Sequence, residues 1–355
     1  MNKDFLLKYL RTDSPSTYEK EAQEAWYKRI KEINPNANIK SDVYGNLFLL
    51  VKGTGKMNQK VVIDAHADEI GWVIKSIDEN GFIYLSRNGG VDPEISPGTS
   101  IKILTDDKKV KGFFGWMPIH LKDREKSPKP TIDNTWIDVG ATTRKEVEEM
   151  GVEVGNFVVV DRDPEIINDK YVCSKAIDDK IGGFILSEVY EQLIQERIIL
   201  PYDLYIVNSV QEEVGLRGAT MITETIKPDI AICFDVCFDT NTPMLDKKKH
   251  GDYKMDDKLV LRQGNDVHTN FLKSMKVIAK NYDFDYKLAV DPGGGTNTFA
   301  YYRSNGGVVA GTVSIPIRYM HTPNEMASLA SIEEVINYYI ALLQNIEEKD
   351  EYKFI

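Results

Sequence analysis

The spacing of hydrophobic and polar residues changes several times along the chain. Residues 16–19 read Ser-Thr-Tyr-Glu, which is typical of a helix capping box, and a charged amphipathic stretch continues from there to Asn34-Pro35. The pattern therefore predicts that a helix comes first. Two β-rich runs follow at 46–52 and 61–64, and polar residues begin where the second run stops, at His66.

The middle of the chain, from about residue 71 to residue 161, has short apolar runs separated by turn residues. The predicted strands there are 71–77, 82–85, 101–104, 111–116 and 156–160, and residues 144–150 alone have a helical pattern. This texture predicts a compact, mostly β region inserted into another domain.

After Tyr171 helical and strand patterns alternate. The predicted elements are a helix at 179–196, a strand at 204–210, a short helix near 220, a strand at 230–234, a helix at 265–281, strands at 286–290 and 308–314, and a last helix that a capping box at 331–334 begins. Such alternation predicts an α/β fold with a mostly parallel sheet. We interpret the basic run 247–249 as a solvated loop.

Composition narrows the class of protein. The chain has 355 residues, of which 42% are hydrophobic and 28% charged, so we expect a folded protein of about two domains. Its net charge of −11 has the wrong sign for nucleic acid or an anionic membrane surface. No apolar run is long enough to span a bilayer and the first residues lack the apolar core of a signal peptide, so we expect a cytoplasmic protein.

Three cysteines, Cys173, Cys233 and Cys237, lie in apolar stretches without a CxxC spacing. An odd number with this placement argues against a disulfide framework and against a thiolate zinc site. We therefore interpret them as core thiols.

Polar clusters follow several of the predicted strands, where open parallel sheets bind ligands. The clusters are His66-Ala67-Asp68-Glu69, Ala176-Ile177-Asp178-Asp179-Lys180, Gln211-Glu212-Glu213-Val214-Gly215, Phe234-Asp235-Val236 and Met320-His321-Thr322-Pro323. Imidazole and carboxylate without sulfur suit zinc, cobalt or manganese in a hydrolytic site. If Asp178, Glu213 and Asp235 bind together with His66 and His321, their charge of −3 balances two divalent ions and a hydroxide.

Each cluster also has an ordinary structural explanation when it is taken alone. Glu212 and Glu213 could be surface residues, and acids at 178–179 would complement the dipole of a helix start without any metal. Gly215 and Gly218, however, would break the strand and let one glutamate bind a metal beside a second that acts as a base. Asp68, two residues after His66, could orient that imidazole.

Taken together, these motifs resemble those of the tetrahedral (TET) aminopeptidases, a co-catalytic metallopeptidase family that includes glutamyl and deblocking aminopeptidases and some members labelled endoglucanases. The resemblance spans nearly the whole chain and includes Arg318-Tyr319-Met320-His321-Thr322-Pro323. It implies an aminopeptidase that removes N-terminal residues from short peptides. It also implies an α/β/α catalytic domain at 1–67 and 170–355 and an inserted β-barrel-like dimerisation domain at 68–169, with dimers assembling into a homo-oligomeric tetrahedral dodecamer.

The resemblance also implies the role of each site residue. Asp178 would bridge two divalent ions, with Zn²⁺ or Co²⁺ expected and Mn²⁺ an alternative. His66 and Asp235 would complete one ion, and Glu213 and His321 the other. Glu212 would be the general base, and Asp68 would steady His66. The choice of Asp178 over Asp179 rests on the family pattern alone.

Two positions depart from the family pattern, in which arginine often stands at Lys180 and aspartate at Asn297. The second departure puts any substrate contact by Asn297 in doubt. The alternatives kept open are a deacylase or carboxypeptidase with a similar bimetal centre, a metal-independent endoglucanase using paired carboxylates, and a noncatalytic binding or assembly protein. The preferred N-terminal residue and the physiological metal also stay open.

Overall fold

The computed structural model describes residues 1–123, 128–290 and 295–355. The α-helices in these ranges are α1 Lys3–Leu10, α2 Lys20–Ile33, α3 Arg144–Glu149, α4 Ile177–Gln195, α5 Arg217–Ile226, α6 Lys247–His250, α7 Thr269–Asn281, α8 Asn297–Tyr302 and α9 Leu329–Gln344. The strands are β1 Asn38–Ser41, β2 Leu47–Val51, β3 Lys60–His66, β4 Gly71–Ile77, β5 Ile83–Asn88, β6 Ser100–Leu104, β7 Lys109–Gly115, β8 Trp136–Asp138, β9 Phe157–Val160, β10 Glu165–Ile167, β11 Tyr171–Ser174, β12 Asp203–Ser209, β13 Ile230–Phe234, β14 Cys237–Phe238, β15 Leu259–Gln263, β16 Tyr286–Val290, β17 Val309–Ser314, β18 Pro316–Ile317 and β19 Glu325–Ser328.

An eight-stranded sheet forms the centre of the fold, in the order β1-β2-β12-β3-β13-β17-β15-β16. The four inner strands β12, β3, β13 and β17 are parallel neighbours. The flanking strands β2 and β15 run antiparallel to β12 and β17. Since parallel neighbours end at the same edge, the residues that follow β3, β12 and β13 are brought together.

Helices cover both faces of this sheet. Along β3, Val61, Ile63 and Ala65 belong to the main apolar core with α1, α2, α4, α7 and α9, whereas Val62 packs in a second core with α5 and α8. This alternation follows from the two-residue period of a strand. It confirms the predicted α/β fold with a mostly parallel sheet.

The predicted β-rich segment contains a closed barrel with strand order β4-β5-β8-β7-β6-β9. Its interior is a separate apolar cluster that includes Trp72, Ile101, Phe114 and Val158. A closed barrel leaves no open sheet edge and has its own core, which agrees with an inserted unit. The domain limits at 67/68 and 169/170 and the dimerisation role stay predictions.

Both predicted capping boxes are wrong, because a distant partner takes the hydroxyl in each case. Ser16 donates to Asp68 Oδ2 at 2.6 Å, so α2 begins only at Lys20. Ser331 donates to the carbonyl of Met255, and Ser328 caps α9 instead.

Several elements were not predicted from the pattern, and two of them matter most for the fold. Helix α1 precedes α2, and β15, whose apolar run is only Leu-Val-Leu, lies inside the central sheet. The run 247–249 predicted as a solvated loop instead contributes to the short, exposed α6. All three cysteines are free thiols; Cys173 and Cys233 are buried and Cys237 is partly buried. Among the described residues, no helix combines the length and the apolar character that a membrane span requires.

Candidate metal centre

Three neighbouring strands deliver four of the predicted site residues to one edge of the sheet. His66 is the last residue of β3 and pairs in register with Ser209, the last residue of β12. Glu212 and Glu213 follow β12 in a turn, and Asp235 directly follows β13. In that turn Gly215 has a φ of +114°, so the chain leaves the extended conformation in which the adjacent side chains of Glu212 and Glu213 would point to opposite faces.

The remaining two predicted ligands come from loops. Asp178 lies at the start of α4, where its φ and ψ are not helical, and a cis peptide bond joins it to Asp179. His321 lies between β18 and β19 with a φ of +60°. Glu325, at the start of β19, accepts hydrogen bonds from both backbone amides, from Asp178 at 3.0 Å and from His321 at 2.7 Å.

The Asp178 carboxylate lies between the two histidines. Its Oδ1 is 3.3 Å from His66 Nε2 and its Oδ2 is 3.2 Å from His321 Nε2. Glu213 Oε1 is also 3.2 Å from His321 Nε2, so Asp178, Glu213 and His321 form one group. In a second group, donor atoms of His66, Asp179 and Asp235 lie within 4.8 Å of one another.

Glu212 lies beside these groups, with Oε2 4.0 Å from His66 Nε2. Asp68 lies beneath them and is fully buried. Its Oδ1 is 3.3 Å from His66 Nδ1, and its carboxylate accepts from the backbone amides of Glu212 and Glu213 at 2.9 and 3.1 Å. Asp68 thus contacts both the imidazole and the segment that carries the two glutamates. All seven predicted site residues are therefore brought together.

The charge state of each acid and histidine in the cluster depends on the charges of its neighbours. Burial, and then the charge of Asp178, raise the pKa of Asp235 to about 8, and burial also raises the pKa values of Glu212 and Glu213. Burial alone would lower the pKa of His321, but its contacts with Asp178 and Glu213 raise it to about 11. These acids therefore ionise readily only where positive charge lies close by.

The donor set fits divalent cations. Asp179 Oδ1 is buried without a hydrogen-bond partner and Asp178 Oδ1 has only the ion-pair contact with His66 at 3.3 Å, although buried polar atoms are nearly always paired. Two imidazoles and several carboxylates converge, and none of the three cysteines is among them. This is the ligand set of hydrolytic zinc, cobalt or manganese sites.

A cleft of about 240 Å³ opens beside the cluster. Besides six of the predicted site residues, its lining includes Phe238, Tyr253, Arg262, Thr296 and Met320. Asn297 does not line this cleft; it is buried and donates to Asp64 Oδ2 at 3.0 Å and to Ser209 Oγ at 2.8 Å.

A buried ion-pair network, formed by Asp13, Glu69, Lys175 and Lys180, lies next to the cluster. Lys175 contacts Asp13 at 2.6 Å and Glu69 at 2.8 Å, and Lys180 contacts Glu69 at 3.0 Å. The motifs alone assigned no role to Glu69 or Lys180, although Lys180 departs from the family pattern. Their signal was the presence of charged residues within otherwise apolar, strand-end motifs.

Glu325 and Gly90 were missed altogether. Glu325 could have been noticed as an acid four residues after His321. Gly90, whose carbonyl oxygen is 3.1 Å from His321 Nδ1, gives no sequence signal because it is 231 positions away.

Comparison with known proteins decides the family. The sequence profile of the M42 glutamyl aminopeptidases matches residues 45–338, most of the chain. The chain belongs to this M42 family. The lysyl aminopeptidase of Pyrococcus furiosus, a similar relative, is 30% identical over 319 residues, which cover 88% of this chain and 88% of that protein.

Solved structures of similar proteins agree with the M42 assignment. A TET aminopeptidase from a marine sediment archaeon, Thaumarchaeota archaeon SCGC AB-539-E09, has a TM-score of 0.93 at 25% identity, covering 99% of this chain and 98% of its own. The TET1 peptidase of Pyrococcus horikoshii has a TM-score of 0.85 at 27% identity, covering 97% and 99%. The predicted family, fold and enzyme class are confirmed: this M42 protein is a metal-dependent aminopeptidase that hydrolyses peptide bonds.

Proposed function

We propose that this M42 protein removes N-terminal residues from short peptides with two divalent cations and a glutamate base. Asp178, His66 and Asp235 would hold one cation, and Asp178, Glu213 and His321 the other. Zn²⁺ and Co²⁺ are the expected ions, with Mn²⁺ as an alternative. The observation that carries this proposal is the Asp178 carboxylate, whose two oxygens approach different histidines at 3.3 and 3.2 Å.

Asp179 is the competing bridge, and its surroundings favour a different role. Its Oδ2 already accepts from the backbone amide of His66 at 3.4 Å. The same oxygen packs against Gly182, where an added Cβ would be only 2.4 Å from it. Neither oxygen of Asp179 is paired with His321, whereas Asp178 Oδ2 lies 3.2 Å from His321 Nε2. These contacts support Asp178 as the shared ligand and Asp179 as a nearby charge.

The proposed reaction adds water across the peptide bond. When bound, two divalent cations supply Lewis acidity that lowers the pKa of a water molecule and polarises the scissile carbonyl. Glu212 accepts the proton of that water as the new carbon–oxygen bond forms. Glu212 then delivers the proton to the leaving amine as the carbon–nitrogen bond breaks, a contribution of roughly 10²–10⁴ in rate.

The position of Glu212 suits this task. Its side chain is 11% exposed and lines the cleft, and its backbone amide donates to Asp68 at 2.9 Å, which fixes the main chain that carries it. Burial, followed by the charges of neighbouring acids, raises the pKa of Glu212. Once nearby positive charge has ionised the Glu212 carboxylate, the same surroundings make it a stronger base for the proton of the water. Asp68 positions both His66 and this base.

The test compares three variants on a panel of aminoacyl anilides, with bound metal measured by elemental analysis. Glu212→Gln should keep both cations and lose about 10²–10⁴ in kcat, because an amide cannot accept the proton. His321→Ala should retain less metal. Glu224→Gln, at an exposed glutamate of α5, is the matched control and should behave as the parent.

A Glu212→Gln enzyme as fast as the parent would refute the base. A parent that binds one cation at saturation would refute the two-cation centre. Release of C-terminal residues, or cleavage of acylated amino acids without anilide turnover, would favour a carboxypeptidase or a deacylase. Chelator-resistant activity on cellulose would favour an endoglucanase.

We also propose that the chain assembles into a homo-oligomer, with a tetrahedral dodecamer as the expected form. The similar TET1 peptidase of Pyrococcus horikoshii assembles into a tetrahedron or a large octahedral shell. The inserted barrel exposes Phe113, Ile119 and Leu121 by 52, 71 and 74%, an apolar surface that dimer formation would cover. Light scattering after gel filtration should give about twelve subunit masses, and a monomer would refute this.

A further inference from the structure

The two histidines of the cluster differ in how their rings are held. The His66 ring is only 2% exposed, so packing restricts its orientation in addition to its contact with Asp68. The His321 side chain is 30% exposed and lies on a loop with φ of +60°. Its direction therefore depends on specific contacts rather than on the surrounding core.

The barrel supplies one such contact. Gly90 follows β5, and its carbonyl oxygen is 3.1 Å from His321 Nδ1. A carbonyl can only accept, so Nδ1 must carry the proton. The other ring nitrogen, Nε2, faces Asp178 Oδ2 and Glu213 Oε1 at 3.2 Å each. A cation bound by these two acids would take the place of the Nε2 proton, and the Nδ1 bond to Gly90 leaves Nε2 as the nitrogen with the lone pair that a metal ligand requires.

Gly90 also leaves space for the ring. A Cβ at this position would be 2.9 Å from His321 Nδ1, closer than real Cβ atoms approach, and 3.1 Å from Cε1, which is tighter than most Cβ contacts. The backbone of Gly90 lies outside the left-handed region, so alanine is acceptable to the chain itself. A methyl group here would therefore act on the imidazole and not on the local fold.

Glu325 supplies the second contact and joins the two loops of the site. Its Oε1 accepts from the backbone amide of His321 and its Oε2 from that of Asp178. The carboxylate is 2% exposed. One side chain thus sets the separation of two residues that are 143 positions apart in the chain.

We propose that Gly90 and Glu325 are positioning residues for the cation site of Asp178, Glu213 and His321. Gly90 selects the ring tautomer and the ring direction of His321, and Glu325 sets its distance from Asp178. The barrel therefore completes a cation site in the catalytic part of the chain. This inference rests on the proposed two-cation function.

The test measures Co²⁺ binding to the metal-free full-length protein by calorimetry and by visible absorption. Gly90→Ala should weaken one of two Co²⁺ equivalents by about 10–100-fold and leave the other at the parent's affinity. Glu325→Gln should weaken the same equivalent by about 10–100-fold and the other, which shares Asp178, by less. Glutamine keeps one acceptor oxygen but turns an NH₂ group toward the second backbone amide. The absorption bands of the weakened site should also change, because its ligand geometry changes.

Two controls separate positioning from general damage. Gly98→Ala lies in the same barrel, where a Cβ meets no atom within 4 Å but φ is +82°, so it should lower the thermal midpoint without altering Co²⁺ binding. Glu333→Gln changes an exposed glutamate of α9 and should alter neither.

The outcomes are distinct. The positioning roles would be overturned if Gly90→Ala and Glu325→Gln bind both Co²⁺ equivalents as tightly as the parent does. They would also be overturned if each variant weakens its two equivalents by the same factor. If Gly90→Ala does not fold, Glu325→Gln decides by the same criterion. A parent that binds fewer than two equivalents would instead overturn the proposed two-cation function.

Discussion

Removing Lys175 from the buried ion-pair network should cost far more stability than removing an exposed lysine. Lys175 is 3% exposed on its side chain, and its ammonium group lies 2.6 Å from Asp13 and 2.8 Å from Glu69. Although burial by itself opposes its charge, these two acids raise the pKa of Lys175, so it is ionised in the fold. In Lys175→Met, two buried carboxylates lose a cation.

The magnitude follows from what each carboxylate keeps. Breaking a buried pair by removing one partner costs about 3–5 kcal/mol. Asp13 keeps Lys102 at 3.0 Å and Lys109 at 2.8 Å, and Glu69 keeps Lys180 at 3.0 Å. We therefore expect a loss near the lower limit, about 3 kcal/mol in the free energy of unfolding.

Lys111→Met is the matched control. Its ammonium lies 3.1 Å from Asp161, but the lysine side chain is 79% exposed, and such surface pairs contribute about 0–1 kcal/mol. Urea unfolding of both variants and the parent, followed by tryptophan fluorescence, measures the difference. Equal losses for the two variants would refute the reasoning, because they would show that burial does not decide the cost at Lys175.

Three further predictions concern pH, the core and metal. Burial, and then the charge of Asp68, raise the pKa of Glu19 to about 8 from 4.5, so the folded state holds this proton more tightly than the unfolded state and the stability of the parent should fall between about pH 4.5 and pH 8. The stability of Glu19→Gln relative to the parent should therefore increase over the same pH range, and a constant difference between the two proteins would contradict the prediction. Asn297→Asp replaces a donor 3.0 Å from Asp64 Oδ2 with a second acid, and the free energy of unfolding measured in urea should fall by about 3 kcal/mol. Adding Asp64→Asn should restore most of this loss, and a double variant without any recovery would refute the pairing. Chelation should lower the thermal midpoint and zinc restore it, with a smaller zinc shift for His321→Ala; equal shifts would count against His321 as a ligand.

The chain pattern predicted the strands around the site well because each contains a run of apolar residues. Strand β13 was predicted at the residues where it occurs, and β3 was recognised by its apolar centre, so the convergence of His66 and Asp235 followed from sheet geometry. Local pattern failed where a polar side chain had a distant partner, as Ser16 has in Asp68.

The sequence by itself determined the residue types available for chemistry, the α/β rhythm and the presence of an inserted β segment, because these depend on local periodicity and on short motifs. Only the tertiary structure decided that the two oxygens of Asp178 approach different histidines, that Asn297 pairs with Asp64, and that Gly90 and Glu325 support His321. The physical reason is that hydrogen bonds and ion pairs act over about 3 Å in space. Residues separated by hundreds of positions reach that distance only after the sheet, the barrel and the loops have packed together.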